Sequence, residues 1–138
     1  MPPIPSDPGP FPTTVARVSR DSTVRLVWGN GLGGGTYELT DGASRSFLKW
    51  APAESSIDLS GERIRFEWAV RYTSVPAVLD HGAEIDGSWL LTRGLPGENA
   101  ISSRWLGDPE AAVRAIGTGL RAFHDALPVA ECPFSWSI

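Results

Sequence analysis

The run Gly29-Asn30-Gly31-Leu32-Gly33-Gly34-Gly35 constrains the fold more than any other stretch of the chain. Glycine at this density stops whatever regular element precedes it and makes a loop. Its flanks are of the opposite kind. Thr23-Val24-Arg25-Leu26-Val27-Trp28 before it and Thr36-Tyr37-Glu38-Leu39-Thr40 after it are rich in β-branched and aromatic residues, which fit a pleated strand. Asp41-Gly42 marks a turn, and Ser46-Phe47-Leu48-Lys49-Trp50 reads as a third strand. The first 50 residues therefore predict a three-stranded antiparallel meander with a glycine loop in its first hairpin.

Farther along, Ser60-Gly61-Glu62 opens a segment through Tyr72 in which Ile64, Trp68 and Tyr72 recur at i, i+4 and i+8, the spacing of a helix. Two apolar runs, Val75 to Leu79 and Ser88 to Thr92, are separated by His81-Gly82 and Asp86-Gly87 and predict a second hairpin, completing a five-stranded sheet. Leu95-Pro96-Gly97 ends it. Asp108 can cap a helix with Pro109 at its first position, and Val113, Ile116, Leu120, Phe123 and Leu127 follow at spacings of 3, 4, 3 and 4 until Pro128 stops it. Residues 1–12 carry six of the twelve prolines, which removes backbone donors and predicts a disordered leader. The fold class expected is α+β.

Charge and composition narrow what such a chain can do. Twelve basic against sixteen acidic side chains leave the 138 residues at net −4 without a clustered basic stripe, which speaks against nucleic acid as a partner. No stretch of eighteen apolar residues is present to span a bilayer, so a membrane is not expected either. The start Met1-Pro2-Pro3-Ile4 has no signal-peptide pattern, and the single Cys132 cannot form an internal disulfide; the protein is expected in the cytoplasm. The end, Ser135-Trp136-Ser137-Ile138, is bulky and apolar without a polar tail, and the polypeptide is expected to stop early.

Gly29 to Gly34 matches G-x-G-x-x-G, a pattern shared by dinucleotide-binding folds and by the phosphate-covering loop of kinases. A dinucleotide site needs a helix after the loop, whereas Thr36 to Thr40 is strand-like, so the hairpin favours the kinase type. The glycines alone fit a plain hairpin loop equally well. Lys49 shifts the balance, because the chain carries eleven arginines and only this lysine. A compact ammonium inserts between phosphate oxygens where a planar guanidinium does not fit. Phe47 projects from the same face of the strand, so an aromatic surface for a base and an ammonium for its phosphates lie side by side. Such a lysine needs an anionic partner. Glu62, on the partly apolar helix face of Phe66 and Ala69, supplies it or else only complements the helix dipole; Glu67 is the back-up.

These residues resemble the N-terminal lobe of protein-kinase-like phosphotransferases, and specifically that of the aminoglycoside 3'-phosphotransferases, a family of antibiotic-resistance kinases. The local matches are Ser46-Phe47-Leu48-Lys49, the segment Trp89 to Gly97, and Leu120-Arg121-Ala122-Phe123-His124 with Cys132-Pro133-Phe134; together they reach from about Val24 to the end. The resemblance implies a leader over 1–12, a nucleotide-binding lobe over 13–92 with a five-stranded antiparallel sheet and one helix, a hinge over 93–97, and over 98–138 the beginning of a truncated second lobe with its first helix. It further implies that Lys49 meets the α- and β-phosphates with Glu62 as its helix partner, that Gly31, Leu32, Gly33 and Gly34 form the phosphate-covering turn, and that Phe47 stacks on adenine. Arg93 to Leu95 would bond the base edge through a main-chain carbonyl and amide, which leaves ATP and GTP undistinguished.

The sequence also departs from the family. The H-x-D-x-x-x-x-N loop that serves the acceptor hydroxyl, and the later aspartate that holds Mg²⁺, are both missing. His81 is followed by Gly82-Ala83 and reads as a turn residue, His124 as a helix residue beside Phe123, and Cys132 as a small buried hydrophobe. The expectation is thus the nucleotide-binding portion of an ATP-dependent aminoglycoside O-phosphotransferase, using ATP or GTP with Mg²⁺ held from outside this chain, and inactive alone. The other readings are a non-catalytic nucleotide-binding or interaction module and, last, a small structural domain with an accidental loop. The amphipathic helix from Pro109 to Leu127 adds the expectation of self-association.

Overall fold

A computed structural model describes residues 10–135. In chain order the elements are α1 (Thr13–Ser19), β1 (Thr23–Gly29), β2 (Gly35–Asp41), β3 (Ser44–Pro52), α2 (Leu59–Ala69), β4 (Val78–Glu84), β5 (Gly87–Arg93), α3 (Ser103–Leu106), α4 (Pro109–Ala126) and a 3₁₀ turn at Val129–Glu131. The five strands form one antiparallel sheet in the order β1-β2-β3-β5-β4, so β3 lies at its centre with β2 and β5 on either side. Both expected hairpins and both long helices are present. No described helix is long and apolar enough to cross a membrane.

Alternation along β3 divides the molecule. Leu48 and Trp50 point to one face, where Leu48 is fully buried with Tyr37, Leu39 and Trp89 beneath Val15 of α1. Ala51 points to the other, where it packs with Leu90 and Leu59 and with Phe66 of α2. Each fully buried leucine or valine contributes about 1.5–3 kcal/mol through the surface it removes from water, so two helices on opposite faces double the apolar area the sheet can cover.

Several expectations need correcting. The sequence pattern does not announce α1: its TTVARVS sequence is short and β-branched, with weak intrinsic helicity. Contacts from outside hold it. The Asp86 carboxylate, in the turn between β4 and β5, accepts from the Thr14 hydroxyl at 2.5 Å and from the Thr14 amide at 3.3 Å, taking the place of a local cap. Glu84 accepts from the same hydroxyl at 3.0 Å and pairs with Arg17. Residues 1–9 of the expected leader lie outside the described residues, while Phe11 packs edge-on against Tyr37 at 5.6 Å, so the order extends into the proline-rich stretch. The short α3 is likewise unannounced.

β4 lies at Val78–Glu84 rather than Val75 to Leu79, and His81 sits within it, opposite Leu90. The turn consists of Ile85 and Asp86, between the paired Glu84 and Gly87. An edge strand needs little apolar sequence, and Leu-Asp-His-Gly-Ala-Glu conceals this one. Helix α2 ends at Ala69 rather than at the expected Tyr72, and the row Ile64, Trp68, Tyr72 does not face the sheet. Trp68 stacks on Tyr72 at 5.2 Å and meets Phe134 edge-on at 5.9 Å, so this row receives the segment that returns after α4. Cys132 in that segment is half-buried rather than buried.

The Thr14 hydroxyl bond, aided by the Thr14 amide and the Arg17 charge and opposed by desolvation, lowers the Asp86 pKa below the ordinary carboxylate value. A lowered folded value means that the ionised form contributes stability above about pH 4, lost as pH falls through the folded value. The thermal midpoint of the wild type should exceed that of Asp86→Asn at neutral pH, and the gap should close in acid. Thr14→Val should cost about 1–2 kcal/mol by denaturant unfolding, since it removes a buried donor to carboxylates.

Candidate functional site

The face of β3 that looks toward α2 carries Arg45, Phe47, Lys49 and Ala51 in sequence. Lys49 Nζ donates to Glu62 Oε1. Glu62 reaches it because α2 starts at a fixed point and a fixed rotation. The Asp58 carboxylate caps the helix by accepting from the Gly61 amide at 2.8 Å, while Leu59, Phe66 and Ala69 bury the sheet-facing side. Glu67 is engaged by Arg63 at 2.9 Å, an i,i+4 pair, and so is not the lysine's partner. The Lys49 and Glu62 side chains remain 39% and 30% exposed. A pair this open contributes about 0–1 kcal/mol of stability; its main effect is to fix where the ammonium points.

The glycine loop lies at the same end of the sheet, with Gly35 opposite Trp50 and Thr36 opposite Lys49. Asn30 organises it. Its side-chain oxygen accepts from the amides of Leu32 and Gly34, both at 3.0 Å, and its own amide donates to the Gly34 carbonyl at 3.0 Å. Gly33 has φ +85°, a conformation that side chains rarely adopt. At Gly34 an added Cβ would lie 2.7 Å from Ile57 and 2.9 Å from the Trp50 carbonyl, so the loop approaches β3 too closely for any side chain.

Phe47, two residues before Lys49 on this face, lines a cleft of about 740 Å³. Val27, Trp28 and Glu38 form its sheet wall with Phe47; Arg93, Leu95 and Pro96 border it after β5, and Asn99, Ile101 and Ser102 lie beyond. Arg25 bonds Glu38 at 3.0 Å within the same wall. The expected residues thus fall into two adjoining groups. Phe47, Arg93 and Leu95 share the cleft, while Lys49, Glu62 and the loop gather beside it; Phe47 and Lys49 are about 7 Å apart along the strand.

A lysine on the central strand, paired with a glutamate of the helix beneath the same sheet face, marks the N-terminal half of the kinase-like fold. A solved structure of an aminoglycoside-3'-phosphotransferase of type VIII has this fold: it matches with TM-score 0.66 and 31% identity over 82% of this chain and 42% of its own. The relatives in sequence agree. An aminoglycoside 3'-phosphotransferase of Streptomyces ribosidificus is 38% identical over 127 residues, 88% of this chain and 48% of that protein. One from Streptomyces fradiae is also 38% identical, over 70% of this chain and 38% of that protein, and a streptomycin 3''-kinase of Streptomyces griseus is 32% identical over 75% and 42%. Over the part of their length that it spans, the chain is similar to the aminoglycoside phosphotransferases and shares their kinase-like fold. It spans about half the length, or less, of the curated relatives it matches. No family model matches it.

Two residues of this region escape the sequence reading. Asn30 stands in the loop as an ordinary turn residue, though asparagine before glycine is the signature of a side chain that bonds amides two positions on. Arg45 shares the Phe47 face by the same alternation that sets Phe47 beside Lys49, and it lines the cleft. Asn30→Ala should release the Leu32 and Gly34 amides; their hydrogen exchange should accelerate about tenfold or more, the loss of one hydrogen bond each, while core amides stay protected.

Proposed function

We propose that this chain is the nucleotide-binding portion of an ATP-dependent aminoglycoside O-phosphotransferase. The complete enzyme would move the γ-phosphoryl group of a nucleoside triphosphate to a hydroxyl of an amino sugar, a resistance activity in the cytoplasm. The observation that carries this reading is the Lys49–Glu62 pair on the face of β3 that also presents Phe47 to the cleft. In it, residues 13–92 are the nucleotide lobe, 93–97 the hinge and 98–138 the start of a second lobe.

The roles follow from position. The base stacks on Phe47 and meets the main chain of Arg93 and Leu95, residues that line the same cleft. Its phosphates run toward Lys49, whose ammonium Glu62 holds in place, and the turn of Gly31, Leu32, Gly33 and Gly34 covers them. Whether the base is that of ATP or GTP is left open by main-chain contacts. Mg²⁺, when bound, neutralises charge on the phosphates. In this reading its ligands come from residues outside this chain, because the family's metal-holding aspartate is missing from the sequence. Positioning of the acceptor and of the transferring group would likewise need residues outside it, and the chain alone would bind nucleotide weakly and transfer nothing.

Titration of Mg-ATP into the purified chain, followed by tryptophan fluorescence, should give saturable binding. Lys49→Ala should weaken it about tenfold or more, the loss of a charge-assisted contact, with an unchanged far-UV spectrum; unaltered affinity would remove the phosphate role. The apolar row of α4 is exposed, 69% at Val113 and 54% at Leu120. Self-association through it should appear as a concentration-dependent mass in light scattering, and Leu120→Glu should abolish it.

A further inference from the structure

The strand that bears Phe47 and Lys49 also bears Arg45, whose side-chain contacts run to Phe47 and Leu95 at the cleft. Its guanidinium carbon lies 5.5 Å from the centroid of the Phe47 ring, within the range of a cation–π contact. The same group donates through Nη2 to the Leu95 carbonyl, fifty residues away. Its backbone carbonyl accepts from the Gly94 amide at 2.8 Å. Gly94 is held so closely that an added Cβ would stand 2.8 Å from the Arg45 carbonyl oxygen and 3.0 Å from Arg45 Nε. Main chain and side chain of one residue therefore fasten the segment after β5 to the sheet, the first at Gly94 and the second at Leu95. The cleft stays open, at about 740 Å³, with the guanidinium in this position.

We propose that Arg45 is a positioning residue for the nucleotide base. It sets the spacing between the Phe47 ring and the hinge backbone, so that a planar base meets the ring and the Arg93 and Leu95 main-chain groups together. This rests on the nucleotide-binding reading above. A lysine cannot replace it, because an ammonium cannot both lie flat on a ring and donate sideways to a carbonyl.

The test separates the base end from the phosphate end by following amide shifts of the labelled full chain in NMR titrations with adenosine, with tripolyphosphate and with Mg-ATP. Arg45→Ala should weaken adenosine and Mg-ATP about tenfold and leave tripolyphosphate unchanged. Arg45→Lys should recover little of the loss, and Lys49→Ala should show the reverse selectivity. If the wild type binds Mg-ATP and Arg45→Ala binds adenosine as well as it or better, the inference fails while the nucleotide reading stands. Equal loss of all three ligands in both Arg45 variants would reduce Arg45 to a general structural role and overturn the proposal. If the wild type binds none of the three, the nucleotide reading falls and this inference with it.

Discussion

Period-two alternation along β3 is the constraint on which the rest of the molecule depends. The strand lies at the centre of the sheet, so both of its faces are covered, and each face has a different task. Leu48 and Trp50 belong to the apolar core under α1; Phe47, Lys49 and Ala51 belong to the side of α2 and the cleft. A slip of one residue in register would drive the ammonium of Lys49 into the apolar core and expose Leu48. The burial of Leu48, complete in the structure, is therefore also what aims Lys49 at Glu62.

The carboxylate end of that pair is fixed from two directions. Leu59, Phe66 and Ala69 set α2 against the sheet, and its outer row is clasped by the segment returning from α4, with Phe134 against Trp68 and the Arg65 guanidinium 5.1 Å from the Phe134 ring centroid. Tyr72 adds a bond to Glu131 at 3.4 Å. A helix gripped on one side alone can roll and carry Glu62 away from the strand. Gripping both sides converts a weak, half-exposed ion pair into a defined geometry, which its Coulomb energy alone would not do.

Most of this was legible from local pattern. The glycine run, the turn signals and the capped helix beginning at Pro109 fixed four strands and the two long helices to within a few residues, and the single lysine led to Glu62. What stayed hidden depends on distant partners. α1 exists because Val15 finds the sheet and Asp86 caps Thr14 from across the chain, so its own β-branched sequence gives no sign of it. β4 is exposed and polar because it is an edge, and the apolar run before it drew the expected strand forward. Ile64 and Trp68 were a true helical signal, although α2 stops at Ala69 before Tyr72, and their partner could not be guessed, since periodicity says that a face is covered and not by what. The same holds at the cleft: alternation could have put Arg45 beside Phe47, but only the fold brings Leu95 to its guanidinium.

The loop shows how the site divides its labour. A glycine turn is usually credited with offering a row of free amides to phosphate oxygens. Here the side chain of Asn30 already takes two of them, those of Leu32 and Gly34, so the turn is shaped before any ligand arrives and has fewer donors to give. Under the nucleotide-binding proposal, positive charge must then carry more of the phosphate recognition, and on this face of β3 that charge is Lys49. Arg45, two positions before Phe47, is committed to the Leu95 carbonyl and to the aromatic ring. On that proposal, a chain with eleven arginines and one lysine keeps its single compact cation for a place where a planar guanidinium would be the wrong shape.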